Sequence, residues 1–222
     1  MKTIVNGSNK IKKIGACLFL MIMITFPAYL FADSVNLPKT GQTKCYHQDG
    51  YELTDCADTG QDGDIQAGVD WPVPRFTDNG DGTITDHLTG LMWLKDAECI
   101  SSGNGINWQD ALDKAAQFNQ DPASLNCYQY NYQALSYTDW RVPNINELES
   151  LVHAGKAVQH IWLGDNGFYN PIASDLWSST TNNSGKSWAW VLDLGAGEIR
   201  AADKSAAAYY QSNRVILVRS AQ

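Results

Sequence analysis

Pro143 sets a corner in this chain of 222 residues. Its ring pushes the preceding residue toward extended geometry, so Trp140, Arg141 and Val142 read as an extended lead-in. The stretch 139–152, DWRVPNINELESLV, then changes period. Asn144 is a suitable helix cap, and Glu147 stands where its carboxylate can return to the Asn144 amide, a capping box. Ile145, Leu148, Leu151 and Val152 recur at helical spacing, and Gly155 is the expected stop. Trp140 is expected to pack under the helix start. Arg141 turns the other way, toward a carboxylate or open carbonyls. Trp140, Arg141, Pro143, Asn144 and Glu147 are therefore read as architecture. The corner holds no nucleophile, and it requires extended chain and helix in one core.

The flanking patterns agree with a mixed fold. FTDNGDGTITD, from Phe76, carries a turn cluster of Asp, Asn and Gly before the alternating Thr83, Ile84 and Thr85, which predicts a hairpin. Its functional rival is a calcium loop using Asn79 and Asp81. Thr77 stands there where an acid belongs, and Leu88 where a bidentate Glu belongs, so the turn reading is preferred. TGLMWL, from Thr89, predicts the next strand. Asn107 caps a second helix with a stripe of Trp108, Ala111, Leu112, Ala115 and Phe118. LWSSTT and SWAWVLDL predict late strands, in which Trp188, Trp190, Leu192 and Leu194 alternate with Ala189, Val191 and Asp193. VILV at 215–218 reads as a central strand covered on both faces. A hairpin, two helices and a strand-rich end make an α+β fold.

The ends carry other information. Lys2, Lys10, Lys12 and Lys13 precede an apolar run from Ile14 to Phe31, followed by the small Ala32. Residues 1–32 have the form of a cleaved signal peptide, in preference to a retained anchor. That places the mature chain outside the cytoplasm, in the periplasm, at the surface or secreted, with no membrane insertion after cleavage. Removing this segment takes four of the 16 basic residues and none of the 24 acidic ones, leaving a net charge of −12. Such a field repels phosphate backbones, so nucleic acid is an unsuitable partner. Residues 33–70 are rich in Gly, Asp, Thr and Gln and poor in apolar side chains, so they read as an extension before a domain at 71–222.

Four cysteines then remain, Cys45, Cys56, Cys99 and Cys127. An even count in an exported chain reads as two disulfides. Three pairings are possible, and the local one, Cys45 with Cys56 and Cys99 with Cys127, is preferred. No CxxC or HxxxH spacing supports a metal site, and no cofactor is expected.

FTDNGDGTITDHLTGLMWLKDAEC, NWQDALDKA, DWRVPNINELESLV, LWSSTT and the terminal LVRS together resemble the Lcl C-terminal domain family, over about residues 75–220. That family is named for the C-terminal domain of a bacterial collagen-like adhesin. It is similar in arrangement to C-type-lectin-like and formylglycine-generating folds. The resemblance implies a compact domain with two helices around a small twisted antiparallel sheet, and loops that carry any binding site. Three features depart from it. There are no Gly-x-y repeats, Ser220 stands where glycine is usual, and a charge of −12 opposes the sulfated glycosaminoglycans associated with the adhesin.

No GxSxG, HExxH or phosphate loop occurs, and His153 and His160 read as surface groups and not bases, so no catalysis is expected. Binding is the favoured function. Rings in loop-like stretches can stack on sugars or anchor proteins: Tyr128, Tyr130, Tyr132, Tyr209, Tyr210, and above all Trp162, Phe168 and Tyr169. With Asn182, Asn183 and Lys186 these last three make the expected ligand surface, for a glycan or a protein. The Glu-Pro-Asn and Trp-Asn-Asp triplets of calcium lectins are missing. The competing reading is a structural part of the cell envelope.

Overall fold

The computed structural model describes residues 37–96, 98–101, 105–125, 127, 136–205 and 213–221. The segment 1–32 read as a signal peptide, and Tyr128, Tyr130, Tyr132, Tyr209 and Tyr210, lie outside the described residues. Among the described residues no helix is long and apolar enough to cross a membrane.

The architecture is α+β, with two antiparallel sheets where one was expected. The first runs β1-β2-β3-β7, formed by β1 (Phe76–Asp78), β2 (Thr83–Asp86), β3 (Leu91–Leu94) and β7 (Val218–Ser220). The second runs β4-β5-β6, formed by β4 (Asp175–Thr181), β5 (Trp188–Asp193) and β6 (Glu198–Asp203). The β1–β2 hairpin pairs Phe76 with Asp86 and Asp78 with Ile84. Its turn uses the groups that a calcium ion would need. Asp81 Oδ1 accepts the Thr83 amide at 3.0 Å and hydroxyl at 2.6 Å, and the Asn79 carboxamide donates to the Thr83 and Thr85 hydroxyls. Among the described residues no group of three or more His, Cys, Asp or Glu is placed to hold a metal ion.

The continuous apolar run 215–218 is buried as expected, but it is not a central strand. It crosses between the sheets. Arg214 bridges to Leu176 of β4, while Val218 pairs with Trp93 of β3 on one side and bridges to Arg141 on the other. Leu217 O accepts the Leu94 amide at 2.9 Å, and Trp177 N donates to Arg214 O at 2.8 Å. A segment that must serve two sheets in four residues cannot hold one ladder. Full burial of its side chains therefore reflects a seam, which the sequence pattern alone does not distinguish from a strand.

Two of the helices are those the sequence marks. In α2 (Trp108–Gln120), Asn107 Oδ1 accepts the Asp110 amide, and Ala111, Ala115 and Phe118 are buried. In α3 (Ile145–Glu149), Asn144 and Glu147 form the capping box in both directions. This helix ends well before Gly155. The Ser150 hydroxyl donates back to Glu147 O at 2.7 Å, and the amides of Leu151 and Val152 reach only three residues back, to Leu148 and Glu149. That tighter turn ends the α-helical ladder. Leu148 and Leu151 are nonetheless buried in the core. Two short helices were not expected: α1 (Asp62–Ile65) in the extension and α4 (Gln159–Asp165), in a stretch read as loop. The first lacks an apolar stripe, and the Val158 side chain gives the second no cap.

Both disulfides take the local pairing, Cys45–Cys56 and Cys99–Cys127. The first closes a loop in the extension. Trp71 Nε1 donates to Lys39 O at 2.7 Å, and Ala154 N donates to Thr40 O at 2.9 Å, so the extension is seated on the loop after α3. Beneath this junction lies a buried ion pair. Arg75 donates to both Asp86 oxygens at 3.1 and 3.0 Å and to Ser150 O at 2.5 Å, with its guanidinium against the rings of Trp71 and Phe76.

Candidate functional site

The expected ligand residues separate into two groups. Trp162 is on α4, not in a loop, and both it and Phe168 belong to the core. Phe76 meets Trp162 and Phe168 edge-on, with ring centroids at 5.7 and 5.3 Å. Burial in that aromatic cluster satisfies their hydrophobic demand, so neither ring is offered to a ligand. Tyr169 is 44 % exposed, and its backbone is tied to Lys95 O at 2.9 Å. It stands apart in sequence and element from Asn182, Asn183 and Lys186, which lie on the β4–β5 turn.

That turn is a built surface feature. Asn182 N donates to Trp188 O at 2.9 Å, and Trp188 N donates to Gly185 O at 2.8 Å. The Asn182 side-chain oxygen accepts the Ser184 amide at 3.0 Å and hydroxyl at 2.7 Å, a local closure that Asn provides well. Lys204, just beyond β6, braces the turn from below. Its ammonium donates to the Thr181 hydroxyl at 2.7 Å and to Lys186 O at 3.1 Å, and sits 4.0 Å from the centre of the Trp108 ring. Trp108 is itself fixed by its indole N–H on Ser178 O at 2.8 Å. The turn is therefore anchored to β4, to β6 and to the start of α2.

On this support the structure presents a ring that the sequence analysis did not include in the ligand surface. Trp188 is 41 % exposed. Alternation along β5 does not keep one phase: Ala189 and Val191 are buried while Trp188 is exposed and Trp190 half-buried, but Leu192 and Leu194 are buried as well. The small Ala189 fits the crowded interior, and the large rings fall on the outer side. The Trp188 ring lies over Gly185, where an added Cβ would come within 3.3 Å of its Cδ1. Asn183 and Lys186 beside it are exposed. A ring edge, a carboxamide and an ammonium thus share one rigid turn. They can offer stacking, paired donor and acceptor groups and a positive charge.

A concavity of about 260 Å³ lies between Leu91 and the Asn144–Glu147 turn. Its one charged wall is already engaged. Glu147 accepts two hydrogen bonds from Arg141, at 2.7 and 2.6 Å, and one from the Asn144 amide at 2.8 Å. Burial raises the Glu147 carboxyl pKa, but Arg141 and the Asn144 amide outweigh that and hold it below the ordinary value. Such a carboxylate is a structural acceptor.

A family model described as the Lcl C-terminal domain matches residues 82–219. No curated protein matches the chain. The matched range contains β2 through β6, all but the last residue of β7, both sequence-marked helices and the β4–β5 turn, and it leaves the extension outside.

Proposed function

The chain belongs to the Lcl C-terminal domain family, and from that premise we propose that it is an extracytoplasmic, non-catalytic binding domain on a C-type-lectin-like scaffold. Its ligand surface is the β4–β5 turn, and its ligand is a neutral glycan or a protein patch. The observation that carries this reading is Trp188, a large ring 41 % exposed on a turn whose backbone is held from three sides. Exposed rings on rigid supports give contact area at low entropic cost, and loops on a fixed scaffold commonly carry recognition.

Two observations support the rest. All four described cysteines are joined as disulfides, which suits an oxidising compartment and leaves no thiol among them for formylglycine-type chemistry. The acidic balance of the sequence disfavours polyanions. The test is a glycan array probed with the disulfide-intact protein, with and without calcium, beside the Trp188→Ala variant. Binding to neutral glycans that the variant loses supports the reading. Binding that Trp188→Ala leaves untouched would move the ligand site elsewhere.

A further inference from the structure

His153 is caged where the extension meets the domain. Its ring meets Trp71 edge-on at 4.8 Å and Trp162 at 5.2 Å. On a third side it lies against Gly41, where an added Cβ would be 2.5 Å from the ring carbon Cε1. Gly155 is equally close to the extension, with an added Cβ 2.5 Å from Gly41 O. Two glycines thus allow two backbones and an imidazole to stack without side chains between them. The Ala154 amide on Thr40 O completes the clasp.

The cage also fixes the protonation state of the ring. Gly155 N–H can only donate, and it points at His153 Nδ1 at 3.1 Å. Nδ1 must therefore be an acceptor, which puts the single proton of the neutral ring on Nε2. The ring cannot easily turn away, because its backbone is held. The buried Gln159 of α4 accepts the His153 amide at 2.9 Å and donates to His153 O at 3.3 Å and Lys156 O at 2.8 Å.

The charged surroundings disfavour a second proton. Arg75, packed on Trp71 and Trp162, faces the cage from below, and Lys156 lies on the same loop. On the extension, Lys39 is paired with Asp70, and Asp62 accepts from the Thr40 hydroxyl, so neither acid is directed at the ring. On α4, His160 Nδ1 lies 3.3 Å from Leu194 O, away from the cage. Burial first, then Lys156, with Arg75 adding to them, lowers the His153 pKa below the ordinary imidazole value.

We infer that His153 is an acid-sensitive latch: its protonation at Nδ1 releases the extension, residues 37–70, from the domain. The added proton converts the Gly155 acceptor into a second donor, so that hydrogen bond is lost. It also places a cation among two indoles, Arg75 and Lys156. Opening lets the imidazolium reach water. It also frees the Trp71 indole N–H, which the closed extension holds at Lys39 O. The sign follows from the lowered pKa. The open state binds the proton more readily, so the closed state is full above about pH 6.5, the ordinary value, and is lost as pH falls below it.

The test uses the whole disulfide-intact protein. Hydrogen–deuterium exchange at the Ala154 amide and the Trp71 indole N–H, which donate across the junction to Thr40 O and Lys39 O, is corrected for the intrinsic rate at each pH and followed from pH 7.5 to 5.0. Protection at both should fall about tenfold or more, while the Met92 amide in the first sheet holds its protection. His153→Gln, which keeps an acceptor but does not titrate, should remove the pH dependence. An NMR titration of the His153 ring in the unmodified protein reports independently of whether that variant folds, and should show a midpoint below about 6.5. Unchanged protection at pH 5.0 with His153 protonated would overturn the latch. So would an equal loss in His153→Gln.

Discussion

Arg141 and Glu147 are joined by two hydrogen bonds of 2.7 and 2.6 Å, and the same carboxylate closes the capping box on the Asn144 amide at 2.8 Å. One side chain therefore links the extended lead-in to the helix that follows it. The Arg141 amide and carbonyl are meanwhile bonded to Val218, at 3.0 and 2.9 Å. The corner thereby fixes α3 to the seam between the sheets.

This link predicts a specific acid sensitivity. Glu147, Asp139 and Asp78 are all held below ordinary carboxyl values. For Glu147 burial opposes the shift, and Arg141 and Asn144 win; for Asp139 the Arg219 hydrogen bond leads, and for Asp78 that of Lys95. A lowered folded pKa means that the stabilisation is complete above about pH 4.3, the unfolded Glu value, and is lost as pH falls through the folded value. Urea midpoints measured from pH 6 to 3 should decline less steeply in Glu147→Gln than in the unmodified protein. Parallel curves would show that the pair contributes nothing to acid unfolding. Arg141→Ala, at an exposed guanidinium, should cost about 1 kcal/mol and leave ligand affinity unchanged. Lost affinity at an unchanged melting temperature would instead make Arg141 a ligand contact.

Trp140 and Asn144 separate packing from capping. Trp140 is 2 % exposed and meets Phe118 and Tyr137 edge-on, so Trp140→Ala should destabilise by about 3 to 5 kcal/mol as a large core truncation. Asn144→Ala removes only the cap and should cost about 1 kcal/mol. Denaturant unfolding of the two variants measures the difference. Equal losses would mean that the cap matters as much as the core.

The Cys99–Cys127 bridge spans 28 residues of sequence, for which chain entropy gives about 3 to 4 kcal/mol. Non-reducing peptide mapping should recover this pair and Cys45–Cys56, and the Cys99→Ala/Cys127→Ala double variant should melt lower. Crossed pairs or free thiols in the map would contradict the structure.

The α+β class, the capping box and the disulfide pairing were legible because each rests on local chemistry: a proline before a cap, two apolar periods and short closures. What the sequence concealed depends on distant partners. Trp162 and Phe168 occur among Gly, Asp and Asn, which reads as loop, yet Phe76, far earlier in the chain, meets both in the core. Trp188 sits in an alternating run whose phase only the neighbouring sheet can set. His153 looks like a surface histidine until the extension folds back over it. The clue was Gly41 and Gly155, whose shared need for close approach is invisible until their chains meet.

The functional proposal requires that the exposed ring and the buried rings behave differently. Trp188→Ala removes a half-exposed side chain and should leave the melting temperature nearly unchanged while weakening ligand binding tenfold or more. Phe168→Ala opens a cavity at a residue 4 % exposed, so it should cost about 3 to 5 kcal/mol and leave the affinity of the folded fraction intact. Ligand charge supplies the second axis. The β4–β5 turn itself carries Lys186, but the sequence after residue 32 has a net charge of −12. A sulfated chain longer than the turn extends past this one ammonium over a net-acidic surface, and although screening at about 0.15 M salt limits each repulsion to about 8 Å, those contacts should disfavour heparin. At that ionic strength neutral glycans or protein should bind and heparin should not. Association with a basic protein should weaken as salt rises. Tight heparin binding that Lys186→Gln abolishes would show that the local ammonium outweighs the field, and would make the ligand a sulfated glycan.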